Sequence, residues 1–246
     1  MLDTQDSTRD EDGFRNRGAE VTRIEAFYDA AFAFAITLMV ISIDEIPDSA
    51  EHLIDALKSI PAFGACFLMI VLFWSAHSTW SRRYGINDRP SQRLSLLTVF
   101  LVLVMIYPMR MVFSAFFFWI SDGWLPAHIS TRNAPDDIRI IIAVFAVAFG
   151  SMGMVTWALY RHAWKLRASL DLDARETLIT RYSVIRWAVV PIVSAFSLVL
   201  SFALSLLPPN LMLSPIPALI FFALLPNRHL LNWRMKRALA TLENGH

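Results

Sequence analysis

The sequence predicts an all-α polytopic membrane protein, and three observations support that prediction. Hydrophobic residues make up 56% of the 246 residues and charged residues only 17%, with a mean hydropathy of +0.47. The apolar residues gather in stretches of membrane length, and the basic residues gather between them. An ordinary soluble domain is less apolar and is not divided in this way. The lipid bilayer is therefore the expected surrounding, and nucleic acid is not an expected partner.

Six stretches are long enough to be spanning helices, because a helix needs about 20 apolar residues to cross a hydrocarbon core of ~30 Å. They lie at 24–43, 56–77, 94–119, 138–160, 183–206 and 211–230. The last is short and contains three prolines. The chain then divides into a charged tail over 1–22, a six-helix domain over 23–230 and a basic tail over 231–246. The first 18 residues are predicted to be flexible, with no signal peptide.

The basic residues predict the orientation of these spans. They are concentrated in both tails and in the loops after the second and fourth spans, whereas the opposite side has only Lys58, Arg132 and Arg139. Loops rich in Lys and Arg stay in the cytoplasm. Both termini are therefore predicted to be cytoplasmic.

Sequence motifs for enzymes are missing. The chain has no H-E-x-x-H zinc motif, no G-x-S-x-G elbow and no glycine-rich nucleotide loop, and Cys66 is its sole cysteine. Neither catalysis nor a bound cofactor or metal ion is expected.

The first span begins with the most informative residues of the chain, Arg23 and Asp29. A carboxylate inside a spanning segment costs roughly 2.5–3.5 kcal/mol at the bilayer centre, so it persists where a partner or a polar cavity receives it. By the helical period, Asp29 projects about 140° away from Phe34. We therefore expect it to face neighbouring helices, where Arg23 or His77 could satisfy it.

Another face of the same helix is apolar with one hydroxyl. Phe34, Thr37 and Ile41 stand at i, i+3 and i+7, so they share one side of the helix. Ala30 and Ala33 extend this stripe with small side chains. Such a stripe is also common in helices that face lipid, where the Thr hydroxyl bonds a backbone carbonyl one turn earlier.

Two patches resemble the transmembrane protein 175 family of potassium channels, which is lysosomal in animals and has a shorter form in bacteria and archaea. The family signature R-x-x-x-F-S-D is met by Arg23, Phe27 and Asp29, and its W-x-x-H by Trp74 and His77. Apolar residues surround Thr37 as in the family, and Asp88 falls where the loop before the third span carries an acid. The resemblance covers about the first 110 residues.

The resemblance implies a six-helix protomer that assembles as a homotetramer, with four copies of the first helix around a central pore. It implies permeation by K⁺ and other monovalent cations in a prokaryotic inner membrane, with no Thr-Val-Gly-Tyr-Gly carbonyl filter. Phe34 stands where the family commonly has the Ile or Leu of the tightest ring, followed along the pore by Thr37 and Ile41. Arg23, Phe27, Asp29, Trp74, His77 and Asp88 form the signature polar cluster.

Three residues depart from the family pattern: Tyr28 in place of a Ser, Phe34 in place of an Ile or Leu, and Ser95 near an expected Asn. Beyond the first span, Asp44 and Glu45 are expected to form an acidic ring at the outer mouth, or simply to end the helix in water.

Two other functions remain possible beside the channel. One is a proton-coupled transporter or proton leak that uses Asp29 and His77, and the other is a non-conducting membrane assembly protein.

Overall fold

The computed structural model describes residues 9–10, 12–41, 48–127, 134–208 and 213–243. This part of the chain is helical apart from connections and one β-bridge between Arg9 and Arg15. The helices are α1 (Arg23–Ile41), α2 (Ala50–Lys58), α3 (Ile60–Tyr84), α4 (Arg89–Ile120), α5 (Ala134–Lys165), α6 (Ala174–Ser205), α7 (Ile216–Leu219) and α8 (Leu224–Glu243), with a 3₁₀ turn at Ile220–Ala223 between the last two. The predicted all-α architecture is confirmed.

Four helices in the described part are long and apolar enough to cross a membrane. They are α3, α4, α6 and the Asp137–Lys165 part of α5, and they contain most of the second to fifth predicted spans. The first predicted span corresponds to α1, a helix of 19 residues. The chain is therefore a membrane protein, as predicted.

The long helices extend past the apolar stretches because their ends are capped by polar residues. The side chain of Asp88 accepts a hydrogen bond from the Ser91 amide, and the Ser91 hydroxyl donates back into the same turn, so α4 begins at residue 89 rather than 94. Asp173 and Glu176 form a reciprocal capping box that starts α6 at residue 174 rather than 183.

The C-terminal region differs from the predicted sixth span over 211–230. Its described part consists of α7, the 3₁₀ turn and the first residues of α8. Pro215 and Pro217 stand at the start of α7, where proline fits because first-turn amides have no helical acceptor. α8 continues through the predicted basic tail as far as Glu243, so the described part of that tail is helical.

A short amphipathic helix, α2, ends inside the start of the second predicted span (56–77) and was not predicted. Ser49 caps it by accepting a hydrogen bond from the His52 amide, and Leu53, Ile54 and Leu57 are all exposed. Hydropathy alone misses such a helix because charged and polar residues are interspersed among its apolar ones.

The helices pack around one core in which α5 and α6 share the most extensive interface. Small residues allow this close approach, since Gly150 lies against Ser194 and Gly153 against Val190. On the other side, α4 packs against α5, and α1 packs against α3 and α4. The helix with the sequence signature therefore lies at the edge of the protomer.

The N-terminal segment corrects a further expectation, that of a flexible tail. Its described residues lie against the C-terminal end of α3 and the N-terminal end of α6. Phe14 in this segment is 0% exposed. A segment with a fully buried aromatic side chain is a docked part of the fold.

Candidate functional site on the first helix

One face of α1 packs into the protomer and the opposite face is open. Tyr28, Phe32, Ala35 and Met39 are buried against α3 and α4. Four residues of the opposite face are exposed, namely Ala30, Ala33, Phe34 and Thr37, and Phe34 is 56% exposed.

Of the predicted pore-lining residues, Phe34 and Thr37 therefore lie together on the open face. The Thr37 hydroxyl donates a hydrogen bond of 3.0 Å to the Ala33 carbonyl, so it is satisfied within its own helix. Ile41 is the last residue of α1. Asp44 and Glu45, the predicted acidic ring, lie outside the described residues.

Asp29 contacts α3 through Trp74 rather than through the partners that were expected. The indole Nε1 of Trp74 donates a hydrogen bond of 2.7 Å to Asp29 Oδ1. Arg23 is exposed at the start of α1, and no ion pair of Arg23 is found among the described residues. Two members of the predicted cluster, Asp29 and Trp74, are thus joined, while Arg23 and the exposed Phe27 stand apart from them.

His77 lies one turn further along α3 and is 4% exposed. Its Nε2 atom is 2.8 Å from the Ser95 hydroxyl of α4. Its ring stacks on Tyr28 of α1, with the centroids 3.7 Å apart and the planes at 9°. Two of the three residues that depart from the family pattern, Tyr28 and Ser95, therefore contact His77, and these contacts tie α1, α3 and α4 together.

The contacts of Asp88 are separate from those of His77 and Asp29. It caps α4, and its Oδ2 lies 2.7 Å from His162 Nε2 at the end of α5. Burial alone raises the pKa of Asp88, but hydrogen bonds from the Ser91 amide and from His162 outweigh that effect and lower the pKa below its usual value. The structure thus divides the predicted polar cluster into three local contacts.

A charged cluster at the end of the protomer where Asp88 lies was not predicted from the sequence. It consists of Arg15 and Arg17 from the N-terminal segment and Glu176 from α6. Two signals in the sequence point to it: an isolated Phe14 within a charged tail, and the D-x-x-E pattern that begins α6. Neither signal identifies the two elements as partners.

The fold and this site define a class, an α-helical polytopic membrane protein whose first helix joins the bundle by polar and aromatic contacts and leaves one face open. Residues 23–108 match the family described as "Endosomal/lysosomal potassium channel TMEM175". A relative from Marivirga tractuosa, named "Potassium channel", is 30% identical over 178 residues, which are 70% of this chain and 71% of that protein. The chain belongs to this TMEM175 family, as the resemblance implied.

One solved structure supports the fold. The crystal structure of a threonine-to-alanine variant of the potassium channel MtTMEM175, in complex with a nanobody–MBP fusion protein, superimposes with a TM-score of 0.75 at 24% identity, covering 95% of this chain and 97% of that one. A channel homologue from Chamaesiphon minutus gives a TM-score of 0.46 at 22% identity, covering 82% and 96% of the two chains. The family is one of ion channels and not of enzymes, as predicted.

Proposed function

We propose that the chain is a potassium-permeable cation channel with six membrane-spanning segments per protomer, assembled as a homotetramer with α1 around a central pore. Membership of a potassium channel family and the potassium channel named in Marivirga tractuosa support the activity. The observation that supports the role of α1 is its open face, where Ala30, Ala33, Phe34 and Thr37 are exposed together.

Side chains decide which ions pass, since the sequence has no carbonyl filter motif. Four copies of Phe34 form the narrowest ring, with Thr37 and Ile41 further along the pore. A narrow hydrophobic ring excludes ions by dewetting until it widens or its side chains rotate. Phe34 is therefore proposed as the gate as well as the constriction.

Asp44 and Glu45 are proposed to form an acidic ring about 15 Å beyond Phe34, at a rise of ~1.5 Å per residue. Such a ring concentrates cations at the outer mouth, and salt weakens its effect by shortening the Debye length.

Both termini are proposed to lie in the cytoplasm of a prokaryotic cell, because the loops on that side hold most of the basic residues.

The structure gives the proton-transport alternative no direct relay in the described part of the chain. Asp29 is bonded to Trp74, whereas His77 is bonded to Ser95 and stacked on Tyr28. A direct relay needs a hydrogen bond between the two groups, and the described hydrogen bonds join each of them to a different partner.

Cysteine accessibility tests the pore assignment. Cys66 is buried and is the only native cysteine, so a Cys66→Ala background is silent toward thiol reagents. In that background, Phe34→Cys and Thr37→Cys should cross-link between subunits or lose conductance on modification. Phe32→Cys and Ala35→Cys, on the buried face of the same helix, are the matched controls and should not react. Equal inertness at all four positions in folded tetramers would remove α1 from the pore.

Flux measurements in liposomes test the gate. Phe34→Ala should raise cation conductance and weaken the preference for K⁺ over Na⁺, because the methyl side chain of alanine is too small to close the constriction. Neutralising Asp44 and Glu45 should lower conductance at low salt and leave it unchanged at high salt. A folded tetrameric Phe34→Ala channel with unchanged flux for K⁺, Na⁺ and H⁺ would refute the gate.

A further inference from the structure

We infer that residues 12–18 act as a strap that fixes the N-terminal end of α1 on α3 and α6, and that Glu176 is the positioning residue that holds this strap. The strap thereby sets the position of the helix that lines the pore. This inference rests on the proposed function in its last step, because it takes α1 as the pore helix.

The first anchor of the strap is a buried carboxylate. Glu176 is 0% exposed, and its two oxygens accept hydrogen bonds from the Arg15 amide at 2.8 Å, from Arg15 Nη2 at 3.1 Å and from Arg17 Nη2 at 2.7 Å. Its Oε2 also accepts from the Asp173 amide at 3.1 Å. Such a carboxylate is tolerated only while these donors stay in place, since an unpaired buried charge is strongly unfavourable.

The second anchor is Phe14, which fills a site at the end of α3. Its ring meets Tyr84 edge to face with centroids 5.4 Å apart. The guanidinium groups of Arg83 and Arg17 lie 5.1 Å and 5.7 Å from its centroid, within the range of cation–π attraction. The Tyr84 hydroxyl in turn is 2.9 Å from Thr180 of α6, so Phe14 packs where α3 and α6 are already joined.

The third anchor is backbone to backbone. The amides of Arg17 and Gly18 both donate to the Arg82 carbonyl, at 3.0 Å and 2.9 Å. A Cβ atom at Gly18 would lie 2.5 Å from the Ser81 carbonyl oxygen, so only glycine permits this approach. The strap thus ends directly on the last turn of α3.

The same turn of α3 also holds the beginning of α1. Ser81 donates a hydrogen bond to Glu25 of α1, and Glu25 Oε2 accepts from the Thr22 amide at 2.6 Å. Only a few residues separate Gly18 from Arg23, the first residue of α1. A displacement of the strap therefore moves the start of α1 with little slack to absorb it.

Glu176→Gln tests the strap, because glutamine keeps the shape of the side chain and removes its charge. Two measurements are made on full-length tetramers in liposomes or nanodiscs: amide hydrogen exchange at Arg17 and Gly18, and the open probability of single channels in K⁺. We expect at least tenfold faster exchange and at least a threefold change in open probability, with K⁺ over Na⁺ preference unchanged. Arg17→Gln should reproduce both changes, and it replaces Glu176→Gln if that variant does not assemble.

The matched control is Arg181→Gln, which removes an exposed arginine from α6, the helix that contains Glu176. It should alter neither measurement. Faster exchange with an unchanged open probability would overturn the inference, since the strap would then have no effect on the position of α1 in the pore. If the Phe34 and Thr37 cysteine tests fail while Glu176→Gln still changes gating, the pore assignment is wrong and the strap acts on another helix.

Discussion

Replacement of Phe14 by alanine should release the strap without unfolding the helices. Truncating a fully buried Phe costs about 3–5 kcal/mol, and Phe14 is 0% exposed. Because the strap lies N-terminal to all the helices, it can detach as a local unit while the bundle stays folded. At ~1.4 kcal/mol per factor of ten, the detached fraction should rise by about 10² to 4 × 10³.

Limited trypsin digestion measures that fraction, since cleavage after Arg15 requires the strap to be detached. Where opening and closing are fast, the cleavage rate follows the population of the open form. Cleavage of Phe14→Ala should therefore be about 10² to 4 × 10³ times faster than that of wild type, with the melting temperature of the helical bundle nearly unchanged. Val21→Ala, at a side chain that is 75% exposed, is the control. Equal cleavage of wild type and Phe14→Ala would refute the packing of Phe14.

Three further substitutions test the packing of the helices by thermal unfolding in detergent. Gly153→Ala should lower the free energy of unfolding by about 1–3 kcal/mol, because its Cβ would lie 2.8 Å from the Cβ of Val190. Gly64→Ala, with no atom within 4 Å of the new Cβ, should raise it by about 0.5–1 kcal/mol through helix propensity, and a loss instead would reveal close approach by another subunit. Asp29→Asn should cost less than ~1.5 kcal/mol, because asparagine still accepts the bond from Trp74. A loss of 3–5 kcal/mol would instead indicate an ion pair formed on assembly.

Much of the fold could be predicted because membrane spans depend on hydropathy alone. The third, fourth and fifth predicted spans all lie almost entirely inside the helices found, α4, α5 and α6. The helix ends were less accurate, because a hydropathy window stops where polar residues begin. The capping residues Asp88 and Asp173 were available in the sequence and correct two of these boundaries.

The site was harder to predict because its contacts depend on which helices meet. The signature identified Asp29 and His77, but Trp74 rather than His77 bonds Asp29, since His77 lies deeper in the protomer between α1 and α4. The contact between Arg15 and Glu176 joins residues 161 positions apart. No local pattern specifies such a pairing, although a buried carboxylate at the start of α6 requires some cationic partner.

The free-energy cost of leaving one face of α1 exposed depends on lipid rather than on water as the surrounding medium. An exposed Phe34 in lipid carries no penalty, because hydrocarbon tails are as apolar as the side chain itself. Asp29 differs, since its carboxylate is exposed in the protomer and holds one hydrogen bond, to Trp74, among the described residues. Lipid around that carboxylate would cost up to ~2.5–3.5 kcal/mol, whereas a second subunit or a water-filled vestibule would not. The charge beside the open face, more than the apolar residues on it, is therefore the reason to expect neighbouring subunits around α1.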